Sequence, residues 1–183
     1  MLPPLYGLVA YVRSPLGEMV ESIRRELHPD HANVPAHISI LPPRPLKGSE
    51  EEARSFLENA CRLVAPFEVA MGEVESFMPT TPTVFIRVAR AAYKMRELHD
   101  LLNTGILEFD EPLPYMPHLT IGKLHSLERA KEVYEISRLR WEQYPGDRTV
   151  KVEQLSFVRG RDLVWTDLAP VHLGGHSVVK TPV

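Results

Sequence analysis

The sequence has little cysteine, no long apolar run and no excess of basic residues. Its one cysteine, Cys61, excludes an intrachain disulfide and a zinc site built from several cysteines. No stretch approaches the ~20 apolar residues that a membrane-spanning helix needs. The N-terminus also lacks the basic segment and apolar run of a secretory signal. We therefore expect a cytoplasmic protein with no membrane partner.

The charge balance is slightly acidic, with 21 Lys and Arg residues against 24 Asp and Glu residues. A formal net charge of -3 provides no basic coat for a long polyanion, so DNA is not an expected partner. A nucleotide or an RNA end could still bind a local patch. With 183 residues and 44% hydrophobic content, the chain can bury the core of a single domain over residues 1–183, with a loose tail at about 174–183.

Two short strings in opposite halves of the chain carry the same pattern. Pro35-Ala36-His37-Ile38-Ser39-Ile40 and Pro117-His118-Leu119-Thr120-Ile121 each place a hydroxyl residue two positions after a histidine. Because residues i and i+2 of a strand point to the same side, each histidine should share one face with its hydroxyl residue. The isoleucines and leucine between them should fill the other face. The pattern alone is weak, but the matched setting of the two copies favours a functional pair.

Apolar periodicity and turn residues predict strands and helices in a similar order in each half of the chain. A helix with Met19, Ile23 and Leu27 on its apolar face separates the first two strands, and Pro42-Pro43 should end the second strand. Three more helices should begin near Ser49, Ala91 and Ser126. The predicted strands are Leu5–Val12, Ala36–Leu41, Phe67–Phe77, Thr83–Ala89, the strand of the second motif, Thr149–Val158 and Leu163–Leu168, the last two forming a hairpin with a turn at Arg159–Asp162.

Because it carries two His-x-Ser/Thr motifs, the chain resembles the two-histidine (2H) phosphoesterase superfamily. This superfamily includes the 2′-5′ RNA ligase-like proteins and the cyclic phosphodiesterases. The first motif has Ser39 where the family more often has threonine. The resemblance implies an α+β fold in which two pseudo-symmetric lobes, with mainly antiparallel sheets and flanking helices, surround a central cleft. One motif from each lobe would line that cleft.

The resemblance also implies a basic residue shortly after the second motif, which Lys123 matches. Strand parity argues against Lys123, because it lies an odd number of residues from His118 and faces away unless the strand bulges. Arg44, beyond the two prolines, is a second candidate for substrate binding at the mouth of the cleft. The aromatic residues Phe77, Tyr115 and Trp165 could stack on a base, although packing in the core or in a loop is the favoured explanation for each of them.

The predicted chemistry is metal-free and cofactor-free acid–base catalysis on a 2′,3′-cyclic phosphate or a 2′-5′ phosphodiester. One of His37 and His118 would take a proton from water and the other would protonate the leaving ribose oxygen. The hydroxyls of Ser39 and Thr120 would stabilise the charge on the phosphate oxygens. The substrate would be a small nucleotide or an RNA end, the protein a monomer, and the reverse 2′-5′ ligation remains possible.

Three alternatives remain open at this stage. A metal enzyme could gather His31, His37, His118 and His125, although no acidic residue adjoins either motif. A binding module of the same fold could hold a nucleotide or an RNA end without turnover. Alternatively, both motif histidines could be core residues. The sequence does not decide which histidine is the base.

Overall fold

The two motif strands lie side by side at the centre of one large sheet. The computed structural model describes residues 3–161 and 164–174. In chain order, its strands and helices are β1 (Leu5–Tyr11), α1 (Pro15–Leu27), β2 (His37–Arg44), α2 (Glu50–Cys61), β3 (Phe67–Ser76), β4 (Thr83–Arg90), α3 (Ala92–Leu102), β5 (His118–Lys123), α4 (Leu127–Gln143), β6 (Thr149–Val152), β7 (Gln154–Arg161) and β8 (Val164–His172). Short 3-10 turns occupy Pro29–His31 and Gly105–Leu107.

Local sequence signals account for where the helices begin. At the start of α2, the Ser49 side chain accepts from the backbone N–H of Glu52, and the Glu52 carboxylate accepts from the N–H of Ser49. This reciprocal capping box satisfies two backbone donors that a helix start leaves open. Helix α4 has a simpler cap, in which Ser126 accepts from the N–H of Arg129. Both caps agree with the predicted helix starts.

The strand order is β6-β3-β4-β5-β2-β1-β7-β8, and every pair of neighbouring strands is antiparallel. The order divides at its centre into two four-strand halves, one led by β2 and the other by β5. In each half the motif strand pairs with the strand that precedes it in the chain, β1 or β4. The predicted α+β class with antiparallel pairing is confirmed, and the two lobes are halves of one sheet.

The sheet is strongly curled. Strands β6 and β7 hold the first and seventh positions of the strand order, yet only Glu153 separates them in the chain. Because a residue spans at most ~3.6 Å of extended chain, these two strands must come close together in space. The prediction of one strand over Thr149–Val158 was therefore wrong. The chain changes from one half of the sheet to the other at Glu153, and the buried side chains change parity there, from Val150 and Val152 to Leu155 and Phe157.

The helices cover one face of the sheet and tie its halves together. Helix α1 follows β1 but packs on β5, whereas α3 follows β4 but packs on β2. Beneath them lies the core, which includes the completely buried Ile38, Ile40 and Leu119. Within the described ranges, no helix has both the length and the apolar character needed to cross a membrane.

Two further boundaries differ from the sequence prediction. Strand β2 continues through Pro42 and Pro43 to Arg44, which pairs with Tyr6 of β1. The register between β1 and β2 is irregular over this stretch, so the prolines occupy positions where a regular ladder is already interrupted. Strand β8 extends to His172, four residues beyond the predicted Leu168. The predicted turn at Arg159–Asp162 and the tail at about 174–183 lie partly outside the described residues.

Candidate active site

The central strand pair brings the two motifs together. Ile38 and Leu119 are partners in the antiparallel pairing of β2 with β5. By this register His37 lies opposite Thr120, and His118 lies opposite Ser39. Directly opposed Cβ atoms in such a pair are about 4.5–5.5 Å apart. Because Ile38 and Leu119 are buried under the helices, the four polar side chains share the other face, where all four are partly exposed.

Both histidine rings are oriented by the same kind of hydrogen bond. Nδ1 of His37 lies 2.8 Å from the carbonyl oxygen of Pro35, and Nδ1 of His118 lies 2.7 Å from that of Met116. A carbonyl only accepts, so Nδ1 carries the proton in each bond. In its neutral form each ring then offers Nε2 as a proton acceptor. The residue two positions before each histidine therefore fixes its tautomer.

The surroundings of both histidines disfavour the charged imidazolium. Burial lowers the pKa of His37, and the positive charges of Arg24, Lys123 and His118 lower it further. Burial also lowers the pKa of His118, with a contribution from Lys123. The hydrogen bonds to Pro35 and Met116 oppose these effects. Both rings are consequently harder to protonate than a free histidine, whose pKa is about 6.5.

Each motif strand bulges directly after its hydroxyl residue. In β5, Thr120 pairs with Phe85, but Gly122 pairs with Val84, so Ile121 is one extra residue. In β2, Ser39 pairs with Val9, but Leu41 pairs with Leu8, so Ile40 is extra in the same way. A one-residue bulge reverses the alternation of side chains beyond it. The duplication therefore extends from the motif to the backbone irregularity that follows it.

The bulge changes the position predicted for Lys123. Ile121 and Gly122 are both buried, and the alternation resumes with an exposed Lys123 on the face of His118 and Thr120. Its charge is close enough to lower the pKa of both motif histidines. Simple parity, which placed Lys123 on the opposite face, is thus wrong for this residue, and the structure groups Lys123 with the histidines.

Two side chains to which the sequence did not assign this role hold the motif strands. The buried guanidinium of Arg24 on α1 donates to the carbonyls of Thr120 (2.7 Å) and Ile121 (3.2 Å), and also to that of Val34. In the other half, the hydroxyl of Tyr115 donates to the carbonyl of Ser39 (2.8 Å). Each motif strand is therefore held at its hydroxyl residue by a side chain from the other half.

Arg44 has a structural role that the sequence did not predict. Its side chain is fully buried, forms an ion pair with Glu111 and donates to the side chain of Asn103 (2.6 Å). Glu111 also contacts Nε2 of His99 (2.9 Å), whose ring stacks on Tyr115 at 4.1 Å. The prediction that Arg44 reaches the mouth of the cleft is wrong, because its charge is paired with Glu111 inside the protein.

Aromatic side chains border the histidines. The rings of Phe77 and Phe85 lie 5.3 Å and 5.0 Å from that of His118, the former edge to face. Tyr11 lies edge to face with His37 at 6.4 Å, and its hydroxyl donates to Asp167 (2.6 Å). Of the three aromatic candidates from the sequence, Phe77 therefore contacts a motif histidine and Tyr115 supports a motif strand.

The four histidines of the metal alternative are not brought together as a ligand cluster. His31 stacks on His28 with ring centroids 4.4 Å apart. Over residues 3–161 and 164–174, no group of three His, Cys, Asp or Glu side chains is arranged to hold a metal ion. The described site offers imidazole, hydroxyl and ammonium groups.

Fold and site together define a duplicated α+β protein with one His-x-Ser/Thr strand from each half. Solved structures with this architecture include the Thermus thermophilus protein TT0787, with a TM-score of 0.61, 16% identity and coverage of 93% of this chain and 98% of that one. They also include E. coli LigT in complex with 3′-AMP, with a TM-score of 0.59, 13% identity and coverage of 94% and 99%. At these identities the likeness concerns the fold.

Sequence comparison identifies the family. The 2′-5′ RNA ligase superfamily matches residues 12–162, which include both motifs and Lys123. A presumed phosphoesterase of Halalkalibacterium halodurans is 26% identical over 155 residues, covering 83% of this chain and 88% of its own. The chain belongs to the 2′-5′ RNA ligase superfamily.

Proposed function

We propose that the protein is a metal-independent phosphoesterase that opens 2′,3′-cyclic phosphates, or cleaves 2′-5′ phosphodiesters, in RNA ends or small nucleotides. His37 and His118 are the acid–base pair. The observation that carries this proposal is the register of β2 with β5, which opposes each histidine to the hydroxyl residue of the other motif. Four groups suited to one phosphate thus lie together, two from alternate residues of each strand.

The reaction needs one proton acceptor and one proton donor. A neutral imidazole takes a proton from water through Nε2 as the water oxygen bonds to phosphorus. An imidazolium gives its Nε2 proton to the ribose oxygen as the phosphorus–oxygen bond breaks, leaving a phosphomonoester. The hydrogen bonds at Nδ1 to Pro35 and Met116 support these roles by directing Nε2 away from the backbone.

Charge on the phosphate is the second requirement. The hydroxyls of Ser39 and Thr120 donate to the non-bridging oxygens, where negative charge increases in the transition state. Lys123, on the same face, supplies a full positive charge. A phosphate bound there also favours the imidazolium form, which opposes the lowered pKa values of the free site.

The relatives agree with a nucleotide substrate. E. coli LigT has been crystallised with 3′-AMP, with ATP, with NADP+ and with phosphate. The superfamily name refers to formation of 2′-5′ bonds, and the same two histidines could join a 2′-hydroxyl to a cyclic phosphate by the reverse reaction. We propose hydrolysis as the main direction because the motif side chains are partly exposed, so water competes with any hydroxyl acceptor.

The test is to incubate the purified protein with 2′,3′-cyclic nucleotides, with a cyclic-phosphate-ended RNA and with a 2′-5′ linked dinucleotide. We expect a phosphomonoester product, full activity in excess EDTA, and loss of turnover in His37→Ala and His118→Ala. His172→Ala, which removes an exposed histidine at the far end of β8, is the matched control. Circular dichroism checks that the variants remain folded.

Each of the other possible outcomes would reject a different part of the proposal. Activity lost with EDTA and restored by zinc would reject the metal-independent mechanism. Full activity in either motif-histidine variant would reject the acid–base assignment. Tight nucleotide binding without any product would favour the binding module. The monomeric state and the cytoplasmic location remain predictions from the sequence.

A further inference from the structure

We propose that Trp165 on β8 is a stacking platform for a nucleobase of an RNA strand, one nucleotide or more away from the phosphate at the histidines. The inference rests on the proposed function and extends it, because it makes an oligonucleotide end a better substrate than a single cyclic nucleotide. Trp165 is an exposed aromatic residue with no role in the proposed acid–base chemistry. Trp165 is 43% exposed, whereas the other tryptophan, Trp141, is 2% exposed.

The indole lies on the same face of the sheet as the histidines. Tyr11 pairs with His37, and Gly7 shares the face of Tyr11 because β1 pairs with β7 without a register shift. A Cβ atom built on Gly7 would lie 3.7 Å from the indole, which places Trp165 above that face. Trp165 therefore reaches from β8 over β7 towards β1, within the half of the sheet that carries His37.

Two glycines make room for the ring. A Cβ atom built on Gly160 would lie 3.1–3.2 Å from three carbons of the six-membered ring, closer than ordinary contact. The indole thus rests on the backbone of Gly160 with Gly7 beside it, where a larger residue would lift or displace it. An exposed indole supported in this way presents an aromatic surface at a small entropic cost, which suits base stacking.

The distance from the histidines indicates which base would reach it. Gly7 is four residues from Tyr11, which corresponds to about 13 Å along an extended strand. A base attached to the reacting ribose is separated from its phosphate by that ribose alone. The platform therefore suits the base of a neighbouring nucleotide, which requires a substrate of at least two nucleotides.

The charged side chains between the motif histidines and Trp165 favour a base and a ribose at the platform over a phosphate. Asp167 lies two residues from Trp165 on β8 and accepts a hydrogen bond from the hydroxyl of Tyr11. Its carboxylate would repel a phosphate, but it can accept a further hydrogen bond from a ribose hydroxyl or a base amino group. The guanidinium of Arg13 lies over the Tyr11 ring at 4.7 Å and supplies a positive charge nearer to His37.

The experiment compares kcat/KM for 2′,3′-cyclic AMP and for a tri-adenylate that ends in a 2′,3′-cyclic phosphate. We expect the native protein to prefer the trinucleotide, and Trp165→Ala to reduce that preference about 5- to 150-fold, the range for one stacked base. Trp165→Phe should keep most of it. Tyr93→Ala, which removes an exposed aromatic residue from α3, is the matched control and should keep all of it. An unchanged preference in Trp165→Ala, or none in the native protein, would overturn the inference.

A binding measurement separates this inference from the proposed function. Tryptophan emission is recorded while a tri-adenylate with a 3′-phosphate, or 3′-AMP, is added to the native protein. Stacking on Trp165 should quench the emission with the trinucleotide and much less with 3′-AMP. Quenching without hydrolysis of any cyclic phosphate would reject the proposed function and keep the platform. Hydrolysis without quenching would do the opposite.

Discussion

The β2 and β5 halves of the site share their geometry but not their charge. Each has a histidine bonded through Nδ1 to the carbonyl two residues before it, a bulge after the hydroxyl residue, and a carbonyl held from the other half. The β5 strand is held by a guanidinium, Arg24, and the β2 strand by a phenol, Tyr115. Beyond the bulge, β5 has Lys123 where β2 has Pro42.

This difference indicates how the two histidines divide the work. Positive charges from Arg24, Lys123 and His118 all lower the pKa of His37, whereas Lys123 is the one that lowers that of His118. His37 is therefore expected to resist protonation more, which suits a general base. His118 is expected to hold the proton and act as the general acid. We therefore expect the duplicated geometry to supply two similar imidazoles, and the unequal charges around them to distinguish their roles.

The strongest test of this division uses a leaving group that needs no protonation. With a 2′,3′-cyclic nucleotide, we expect His37→Ala and His118→Ala each to lose about 10²- to 10⁴-fold in kcat/KM. With a nitrophenyl phosphodiester, whose leaving group departs as a stable anion, the loss in His118→Ala should become much smaller while that in His37→Ala persists. Steady-state kinetics of both variants on both substrates measures this.

The comparison is broken if the two variants respond equally to the better leaving group, or if His37→Ala is the one that recovers. The second result would exchange the two roles. His172→Ala again serves as the control and should behave as the native protein with both substrates. Because neither substrate changes the fold, the contrast does not depend on the stability of the variants.

The two supports of the motif strands should differ in their contribution to stability. Replacing Arg24 with methionine removes the donor from one buried and two partly buried carbonyls, and we expect the free energy of unfolding to fall by about 3 kcal/mol. Replacing Tyr115 with phenylalanine removes a single hydrogen bond and should cost about 1 kcal/mol. Urea unfolding followed by circular dichroism provides both values.

A functional readout distinguishes positioning from simple stability. Arg24→Met should also lower kcat more than it raises KM, because the bulge that orients Thr120 and Lys123 loses its support. Arg24→Lys keeps the charge without the planar fork and should recover less than half of the lost stability. Equal effects of Arg24→Met and Tyr115→Phe would remove the distinction between the two halves.

The motif and most of the helices and strands could be predicted from the sequence, but the curvature of the sheet could not. Alternation and turn residues identify β1, β3 and β4, and the capping residues identify α2 and α4, because these signals are local. The strand break at Glu153 was visible only as a change in parity between Val152 and Leu155. Its meaning depends on β6 and β7 pairing with distant strands, which no local pattern encodes.

The residues around the motif were less predictable for a similar reason. Arg44 was a candidate because it lies beyond the two prolines, and Lys123 because the resemblance implies a basic residue there. The position of a basic side chain depends, however, on the residues that lie opposite it. Arg44 is buried because it forms an ion pair with Glu111, and the bulge at Ile121 places Lys123 on the face of the histidines. The structural role of Arg24 could not be predicted, because in the sequence it is one of several charged residues on an amphipathic helix.

The smallest expected effect concerns pH, and Lys123 is the residue that tests it. The reaction needs one neutral and one protonated imidazole, so kcat/KM should follow a bell whose maximum lies between the two apparent pKa values of the free site. Because both pKa values are lowered, the maximum should lie below pH 6.5. Lys123→Met removes a charge that lowers both values, so the maximum should move to higher pH as the peak activity falls.

Lys131→Met, which removes an exposed lysine from α4, is the matched control and should leave the maximum where it is. A maximum that stays in place in Lys123→Met would show that Lys123 does not face the histidines. NMR titration of the imidazole protons gives a second measurement, because Lys123→Met should raise the pKa of both rings, whereas Arg24→Met should raise that of His37 and leave that of His118 in place. The two halves of the site differ electrostatically only if those two variants give different patterns.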